Sequence, residues 1–132
     1  MNFVSIRMIT DDPKRLVGFY ETVTGLAPTW FTDDFAQFKT SSCTLAISSP
    51  RTVAMLGADV LRPAENRTVI IEFRVADVDL EYARLEQTIG DFVLRPTTMP
   101  WGNRSMLFRD PDGNLINIFA PATADAKKRL DG

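Results

Sequence analysis

The sequence predicts an α+β fold made of two copies of one βαβββ module. Two observations predict it. The first is an internal repeat, in which residues 4–25 align with residues 69–90, 65 positions later. The second is a hairpin signal near the end of the chain, where Asp-Pro-Asp-Gly-Asn at residues 110–114 separates two apolar runs. A chain of 132 residues suits a single domain, so both modules are expected to belong to one domain, residues 1–132.

Each module opens with a strand and a helix. Apolar residues alternate over residues 6–10, and again 65 positions later, as they do along a strand. Asp12 and Asp77 follow at matching positions, and aspartate is a typical helix N-cap. Gly25 and Gly90 also match, and glycine is typical of the residue at which a helix ends. The capping aspartate and the glycine therefore mark the start and the end of one helix in each module.

Three further strands complete each module. They are predicted at residues 29–31, 35–39 and 44–48 in the first module, and at 92–95, 105–109 and 115–119 in the second. A short helix is expected at residues 55–60. The domain is divided into module one (1–50), a linker (51–67), module two (68–121) and a polar tail (122–132).

Composition and charge argue against several classes of partner. The net charge is −2 and the basic residues are dispersed, so neither nucleic acid nor an anionic membrane is expected to bind. No apolar run approaches the roughly 20 residues that span a bilayer. Cys43 is the single cysteine, which excludes an intrachain disulfide and predicts a cytoplasmic protein.

Residues 108–119 carry a resemblance to a known family. Their sequence, Phe-Arg-Asp-Pro-Asp-Gly-Asn-Leu-Ile-Asn-Ile-Phe, resembles the closing hairpin of the glyoxalase, bleomycin-resistance and extradiol-dioxygenase (vicinal oxygen chelate) superfamily. The resemblance covers nearly the whole chain and is weakest in residues 51–67. It implies a cupped mixed sheet around a cavity. It also implies a homodimer, which small members of the superfamily commonly form.

The resemblance also assigns the positions of metal ligands. Metal-dependent members place one ligand on the first and last strand of each module, which gives Ser5, Ala46, Ile70 and Asn117 in this chain. A divalent ion needs imidazole, thiolate or carboxylate groups. The chain has no histidine, and Asn117 stands where metal-using members have a glutamate. The sequence therefore resembles a metal-free branch, and neither a metal nor another cofactor is expected.

Strand alternation extends these positions into a candidate ligand site. If Ser5 and Ile70 point into the cavity, Arg7 and Glu72 do too, because side chains two apart share a face. These opposite charges would contact a polar ligand or pair with each other as a structural ion pair. Arginine stays protonated, so Glu72 is the candidate catalytic base.

Aromatic residues complete the expected ligand site. Pro100-Trp101-Gly102 with Arg104 resembles a segment of the drug-binding branch, in which Trp and Phe side chains line a groove for planar ligands. We expect Trp30, Phe38 and Trp101 to line that groove, while the core or a dimer contact is favoured for Phe31 and Phe35. The full expected ligand set is Ser5, Arg7, Trp30, Phe38, Ile70, Glu72, Trp101, Arg104 and Asn117.

Three functions fit this sequence. The favoured one is a metal-independent small-molecule binding protein that resembles antibiotic-sequestering members. The second is a metal-independent lyase, isomerase or cyclase with Glu72 as base and Arg7 or Arg104 stabilising negative charge. The third is a scaffold or regulatory module that uses the same surface for a protein partner. The fold alone cannot rank them, because one fold hosts many functions.

Overall fold

The computed structural model describes residues 1–131. The chain divides into two compact units, one of residues 1–66 with 111–113 and the other of residues 67–110 with 114 onward. Each unit contains one four-stranded mixed sheet whose strands and first helix follow the order βαβββ. The predicted α+β fold with two βαβββ modules is therefore confirmed.

Unit one contains four strands and two helical segments. They are β1 (Ser5–Ile9), α1 (Pro13–Thr24), β2 (Thr29–Thr32), β3 (Phe35–Lys39), β4 (Thr44–Ser48) and a 3₁₀ helix (Pro50–Leu56). The strand order is β1-β4-β3-β2, with β1 parallel to β4 and the other pairs antiparallel. The last strand of the unit therefore lies beside the first.

The predicted capping residues lie at the two ends of α1. The Asp12 carboxylate accepts a hydrogen bond from the backbone N–H of Arg15 at 3.1 Å, and Gly25 ends the helix at φ 70°. Leu16, Val17, Tyr20 and Val23 form the buried side of the helix. On the sheet, the buried residues include Ala36, Phe38, Leu45 and Ile47.

Unit two repeats this arrangement and adds a third helix. Its elements are β5 (Ile70–Arg74), α2 (Val78–Ile89), β6 (Leu94–Thr98), β7 (Asn103–Arg109), β8 (Leu115–Pro121) and α3 (Ala124–Asp131). The strand order is β5-β8-β7-β6, again with one parallel pair, β5 with β8. Asp77 caps α2 through the backbone N–H of Leu80 at 3.1 Å.

One face of this sheet packs against α2. Met106, Phe108, Ile116 and Ile118 lie on that face and are between 0% and 3% exposed. A chain of ring contacts joins helix to sheet, from Tyr82 on α2 to Phe92 and from Phe92 to Phe108. The opposite side of the sheet is called the open face below, and the same term is used for unit one.

The predicted hairpin joins β7 to β8. The Asp110 carboxylate accepts hydrogen bonds from the backbone N–H of Asn114 at 2.9 Å and from its side-chain amide at 2.8 Å. Gly113 has φ 85°, a backbone conformation that glycine adopts without a steric penalty. The turn therefore forms for the reasons that its sequence suggests.

Several predicted bounds are wrong, and the polar tail contains a helix that is not among the predicted elements. The 3₁₀ helix lies at residues 50–56 instead of 55–60, because Pro50 supplies a preset first helical residue. Strand β6 lies at residues 94–98 instead of 92–95. The polar tail contains α3, which forms because Ala126 is fully buried beside the preceding turn. Within residues 1–131, no helix is long and apolar enough to span a bilayer.

Candidate functional site

Equivalent rows of side chains cross the open faces of the two sheets. In unit one the register runs from Arg7 through Ala46 and Gln37 to Thr29. In unit two the matching row runs Glu72, Asn117, Leu107 and Leu94. Arg7 and Glu72 thus occupy the same place in their sheets, as the repeat predicts. Each lies opposite a family ligand position on the neighbouring strand, which is Ala46 for Arg7 and Asn117 for Glu72.

The open face of unit one carries an arginine on an aromatic pair. The Arg7 guanidinium carbon lies 5.7 Å from the centroid of the Phe35 ring, within the range of a cation–π contact. The Phe35 ring meets the Phe31 ring edge-on at a centroid distance of 5.6 Å. Phe31 is 58% exposed and Arg7 is also exposed. This Arg7–Phe35–Phe31 cluster offers a solvent-facing cation and ring.

The open face of unit two carries a carboxylate held by an amide. The Asn117 side-chain Nδ2 donates to Oε2 of Glu72 at 2.8 Å. This contact fixes the orientation of the amide, because only its nitrogen can donate to a carboxylate. Asn117 Oδ1 is buried without a hydrogen-bond partner in the described part of the chain. The structure therefore brings together two of the expected site residues.

The four family ligand positions do not fit a divalent ion. Ser5 and Ile70 are exposed, Ala46 is buried, and none of the three can supply a strong metal ligand. Asn117 turns its donor nitrogen to Glu72, which leaves a single amide oxygen. Over residues 1–131, no group of three or more His, Cys, Asp or Glu side chains could hold an ion. No step is therefore assigned to a metal.

Two aromatic residues expected in the groove, Phe38 and Trp30, do not lie on the open face of unit one. Phe38 is 1% exposed and pairs with Leu45 in the core, so it does not line the open face. Trp30 pairs with Ala36 and is placed by the register on the same core-side face, where it is 39% exposed. Phe31 and Phe35, for which the core or a dimer contact is expected, lie beside Arg7.

Arg104 is also turned away from the open face. Its guanidinium binds the Asp79 carboxylate through two hydrogen bonds of 2.8 Å, one from Nε and one from Nη2. Asp79 lies on α2, so Arg104 joins strand to helix. The Arg104 hydrogen bonds lower the pKa of Asp79 below its ordinary value of 3.8, and the pKa of Arg104 is raised in turn. The expected contact of Arg104 with a groove ligand is not supported.

Trp101 is separated from Asn117 along the sheet. It lies in the turn before β7 and is 55% exposed, and its backbone oxygen accepts from Arg129 Nη2 at 2.8 Å. The residue opposite Asn117 is Leu107, four residues beyond Asn103 at the start of β7. At about 3.3 Å per residue this spacing is roughly 13 Å. Trp101 and Asn117 therefore do not form one contact site.

A second arginine–aspartate pair stabilises unit one. Arg51 at the start of the 3₁₀ helix donates from Nη2 to Oδ1 of Asp34 at 2.7 Å. This hydrogen bond lowers the pKa of Asp34 below its ordinary value of 3.8. The pair fixes the segment after β4 to the turn between β2 and β3, outside the row that contains Arg7.

Comparison with known proteins agrees with this architecture. The chain is 29% identical to the uncharacterized protein YraH of Bacillus subtilis over 125 residues, which cover 90% of this chain and 98% of YraH. It resembles a glyoxalase/bleomycin resistance protein/dioxygenase family enzyme from Burkholderia phytofirmans, with a TM-score of 0.80 at 14% identity over 92% of this chain and 99% of that one.

Two other solved structures have the same fold. A lactoylglutathione lyase from Agrobacterium tumefaciens gives a TM-score of 0.66 at 22% identity, over 90% of this chain and 92% of the lyase. TioX from Micromonospora sp. ML1 gives 0.67 at 21% identity, over 92% of this chain and 99% of TioX. At these identities the likeness shows the fold alone.

The family itself is shown by the sequence. Residues 2–118 match the family model of the Glyoxalase/Bleomycin resistance protein/Dioxygenase superfamily. This range includes both open-face rows and the hairpin between β7 and β8. The chain therefore belongs to the glyoxalase/bleomycin resistance protein/dioxygenase superfamily.

Proposed function

We propose that this protein is a metal-independent small-molecule binding protein of the antibiotic-sequestering kind. Its ligand is a planar, amphipathic molecule that binds to the open face of unit one. The observation that carries the proposal is the Arg7–Phe35–Phe31 cluster, in which a guanidinium lies over one ring and a second ring stands exposed beside it. The lone cysteine agrees with a cytoplasmic setting, which we include in the proposal.

The cluster has the chemistry to bind a flat anion. An exposed aromatic ring stacks with a planar ligand, and each ring pair contributes about 0.5–1.5 kcal/mol beyond the apolar area that it buries. The guanidinium has five N–H donors and suits a carboxylate on the same ligand. Arg7 is paired in register with Ala46, which offers it no side-chain acceptor. Its charge is therefore available to a ligand.

A matched pair of probes tests this function. We expect 2-naphthoate to raise the melting temperature and 2-naphthamide, which has the same rings without the charge, to raise it less. At a probe concentration one hundred times its dissociation constant, the stabilisation should be about 2.7 kcal/mol. Calorimetric titration gives the two dissociation constants directly.

Substitutions assign the binding to the cluster. Arg7→Met should weaken naphthoate to the level of naphthamide, and Phe35→Leu should weaken both probes. Arg15→Met and Phe3→Leu are the controls, since both side chains are exposed and lie outside the cluster. The proposal is wrong if neither probe binds, or if the control variants lose as much affinity as the cluster variants.

The second candidate function is a metal-independent lyase or isomerase. It is favoured by the bond from Asn117 to Oε2 of Glu72, which holds the carboxylate and leaves Oε1 to accept a substrate proton. Glu72→Gln separates the two functions. A binding protein should keep its affinity for the naphthoate probe, whereas an enzyme should bind its substrate and lose turnover.

A further inference from the structure

A cleft of about 480 Å³ opens at one edge of the unit two sheet. It lies where the parallel strands β5 and β8 both end, beside α3. Three charged side chains line it, namely Arg74, Lys127 and Asp131. Its remaining wall is apolar and is formed by Val75, Ala76, Ala120 and Pro121. The cleft is separate from the open-face row of unit two, because neither Glu72 nor Asn117 lines it.

The helix that forms one wall is held firmly. Ala126 is fully buried, and its backbone N–H donates to Thr123 Oγ1 at 3.1 Å. Arg129 adds the bond from Nη2 to the backbone oxygen of Trp101. Helix α3 (residues 124–131) lies beyond residues 2–118, the range matched by the family. The cleft therefore combines residues inside the matched range with a helix outside it.

Among the residues that the structure describes, the charges in the cleft leave one cation without a counter-ion. Arg74 Nη2 lies 2.7 Å from Oδ1 of Asp131, and these side chains are 44% and 55% exposed. Ion pairs this exposed are weak and are readily exchanged for another anion. Lys127 makes no ion pair with any side chain of residues 1–131. The lining therefore has two cations and one carboxylate.

We propose that this cleft binds a small organic anion, either a carboxylate or a phosphate monoester. The anionic group displaces the Asp131 carboxylate from Arg74, whose planar fork can bind two oxygens at once. Lys127 supplies the second positive charge, and the apolar wall accepts the body of the ligand. Asp131 thus acts as an internal competitor at the last described residue of α3.

Phenyl phosphate is the probe that tests this site, with phenol as the neutral control. We expect phenyl phosphate to shift the amide resonances of Val75, Ala76 and Lys127 in a ¹H–¹⁵N titration at fixed ionic strength, and phenol to leave them unchanged. A parallel titration with benzoate distinguishes a planar from a tetrahedral anion. The site does not involve Arg7 or Phe35, so its outcome is independent of the naphthoate experiment.

Four variants test the contribution of each charged side chain to phenyl phosphate binding. Arg74→Gln should weaken phenyl phosphate by at least about tenfold, the loss expected for a charge-assisted contact. Lys127→Gln should weaken it less. Asp131→Asn should strengthen binding, because it removes the competitor. Lys128→Gln, one residue along α3 and outside the lining, should leave the affinity unchanged.

Three results would each contradict the proposal. If Lys128→Gln weakens binding as much as Lys127→Gln, the anion responds to the general surface charge of α3. If Asp131→Asn fails to strengthen binding, the Asp131 carboxylate of the wild type does not compete with the ligand for Arg74. Should Arg74→Gln unfold the chain, Arg74→Lys replaces it, since this variant keeps the charge and loses the planar fork. An unchanged affinity in Arg74→Lys would then contradict the arginine contact.

Discussion

At the scale of single residues, the two modules share positions but differ in chemistry. Arg7 and Glu72 lie at equivalent positions, and the contacts of each side chain depend on its cross-strand neighbour. Asn117 faces Glu72 and donates a hydrogen bond to it. Ala46 faces Arg7 and has no polar side chain, so the guanidinium lies over Phe35 instead. The open faces of the two modules therefore differ at two equivalent positions, one on the first strand and one on the fourth.

The four family ligand positions predict a protein without a specific divalent metal. Ser5, Ala46, Ile70 and Asn117 lack imidazole, thiolate and carboxylate groups, so no ion should survive dialysis. Elemental analysis should find well under one ion per chain, and a chelator should leave the melting temperature unchanged. Stoichiometric zinc, nickel or iron would contradict this prediction.

Gly102 is predicted to tolerate no side chain. Its φ is 95°, and an added Cβ would overlap Thr123 Oγ1 and lie 3.0 Å from the Cβ of Ala126. Gly102→Ala should therefore lower the free energy of unfolding by about 1–3 kcal/mol, through backbone strain and displacement of the α3 start.

The matched control is Gly18→Ala. Gly18 lies within α1, and an added Cβ there meets no atom within 4 Å. Alanine should stabilise this exposed helix position by about 0.5–1 kcal/mol. Urea denaturation measures both variants. Equal effects at the two positions would show that the turn at Gly102 can rearrange.

At the scale of elements, the sequence predicts the helices and most strands, because caps, C-terminal glycines and alternation are local signals. Residues 35–39 and 44–48 form strands at the predicted bounds. Alternation along β2 separates Trp30 from Thr29 and Phe31 but does not say which of the two faces is covered by the helix. Pairing with β3 decides this, because Trp30 lies opposite the buried Ala36. The expected place of Trp30 in the groove is therefore wrong.

Strand β7 shows the same difficulty for Arg104. The strand begins at Asn103 instead of the predicted Ser105, so Arg104 is part of it. Within the strand, Arg104 shares a face with the buried Met106 and Phe108, which points it to α2. Helix α3 is not among the predicted elements, although Thr123 caps it and its first and last turns carry acidic and basic residues, respectively.

The link between β7 and α2 predicts a dependence of stability on pH. Arg104 keeps the pKa of Asp79 below its ordinary value of 3.8 in the folded chain. A lowered pKa stabilises the fold at pH values above the unfolded pKa, and this stabilisation is lost as the pH falls through the folded pKa. The wild type should therefore lose more stability below about pH 4 than Asp79→Asn does.

Urea denaturation at a series of pH values measures this difference. Asp91→Asn serves as the control, because Asp91 is an exposed aspartate outside the Arg104 contact. Its pH dependence should follow that of the wild type. If Asp79→Asn also follows the wild type, the contact with Arg104 does not persist in solution.

At the scale of the whole molecule, we predict a homodimer. Several large apolar side chains are exposed in the single chain, among them Phe3 at 75%, Leu80 at 67% and Ile70 at 50%. Monomers seldom leave large apolar patches in water, and a symmetric second copy can cover them. Light scattering should give twice the chain mass of 14.8 kDa at micromolar concentration. A monomer mass would contradict the prediction.

The strand orders also determine which sheet can form first as the chain leaves the ribosome. In unit one, β4 completes the sheet between β1 and β3 once residue 48 has been made. In unit two the equivalent central strand is β8, the last strand within residues 1–131. Until residues 115–121 emerge, β5 has no neighbour in its sheet, and its backbone N–H and C=O groups remain in water. Unit one can therefore fold before unit two has been made, whereas the sheet of unit two closes only once residues 115–121 have emerged.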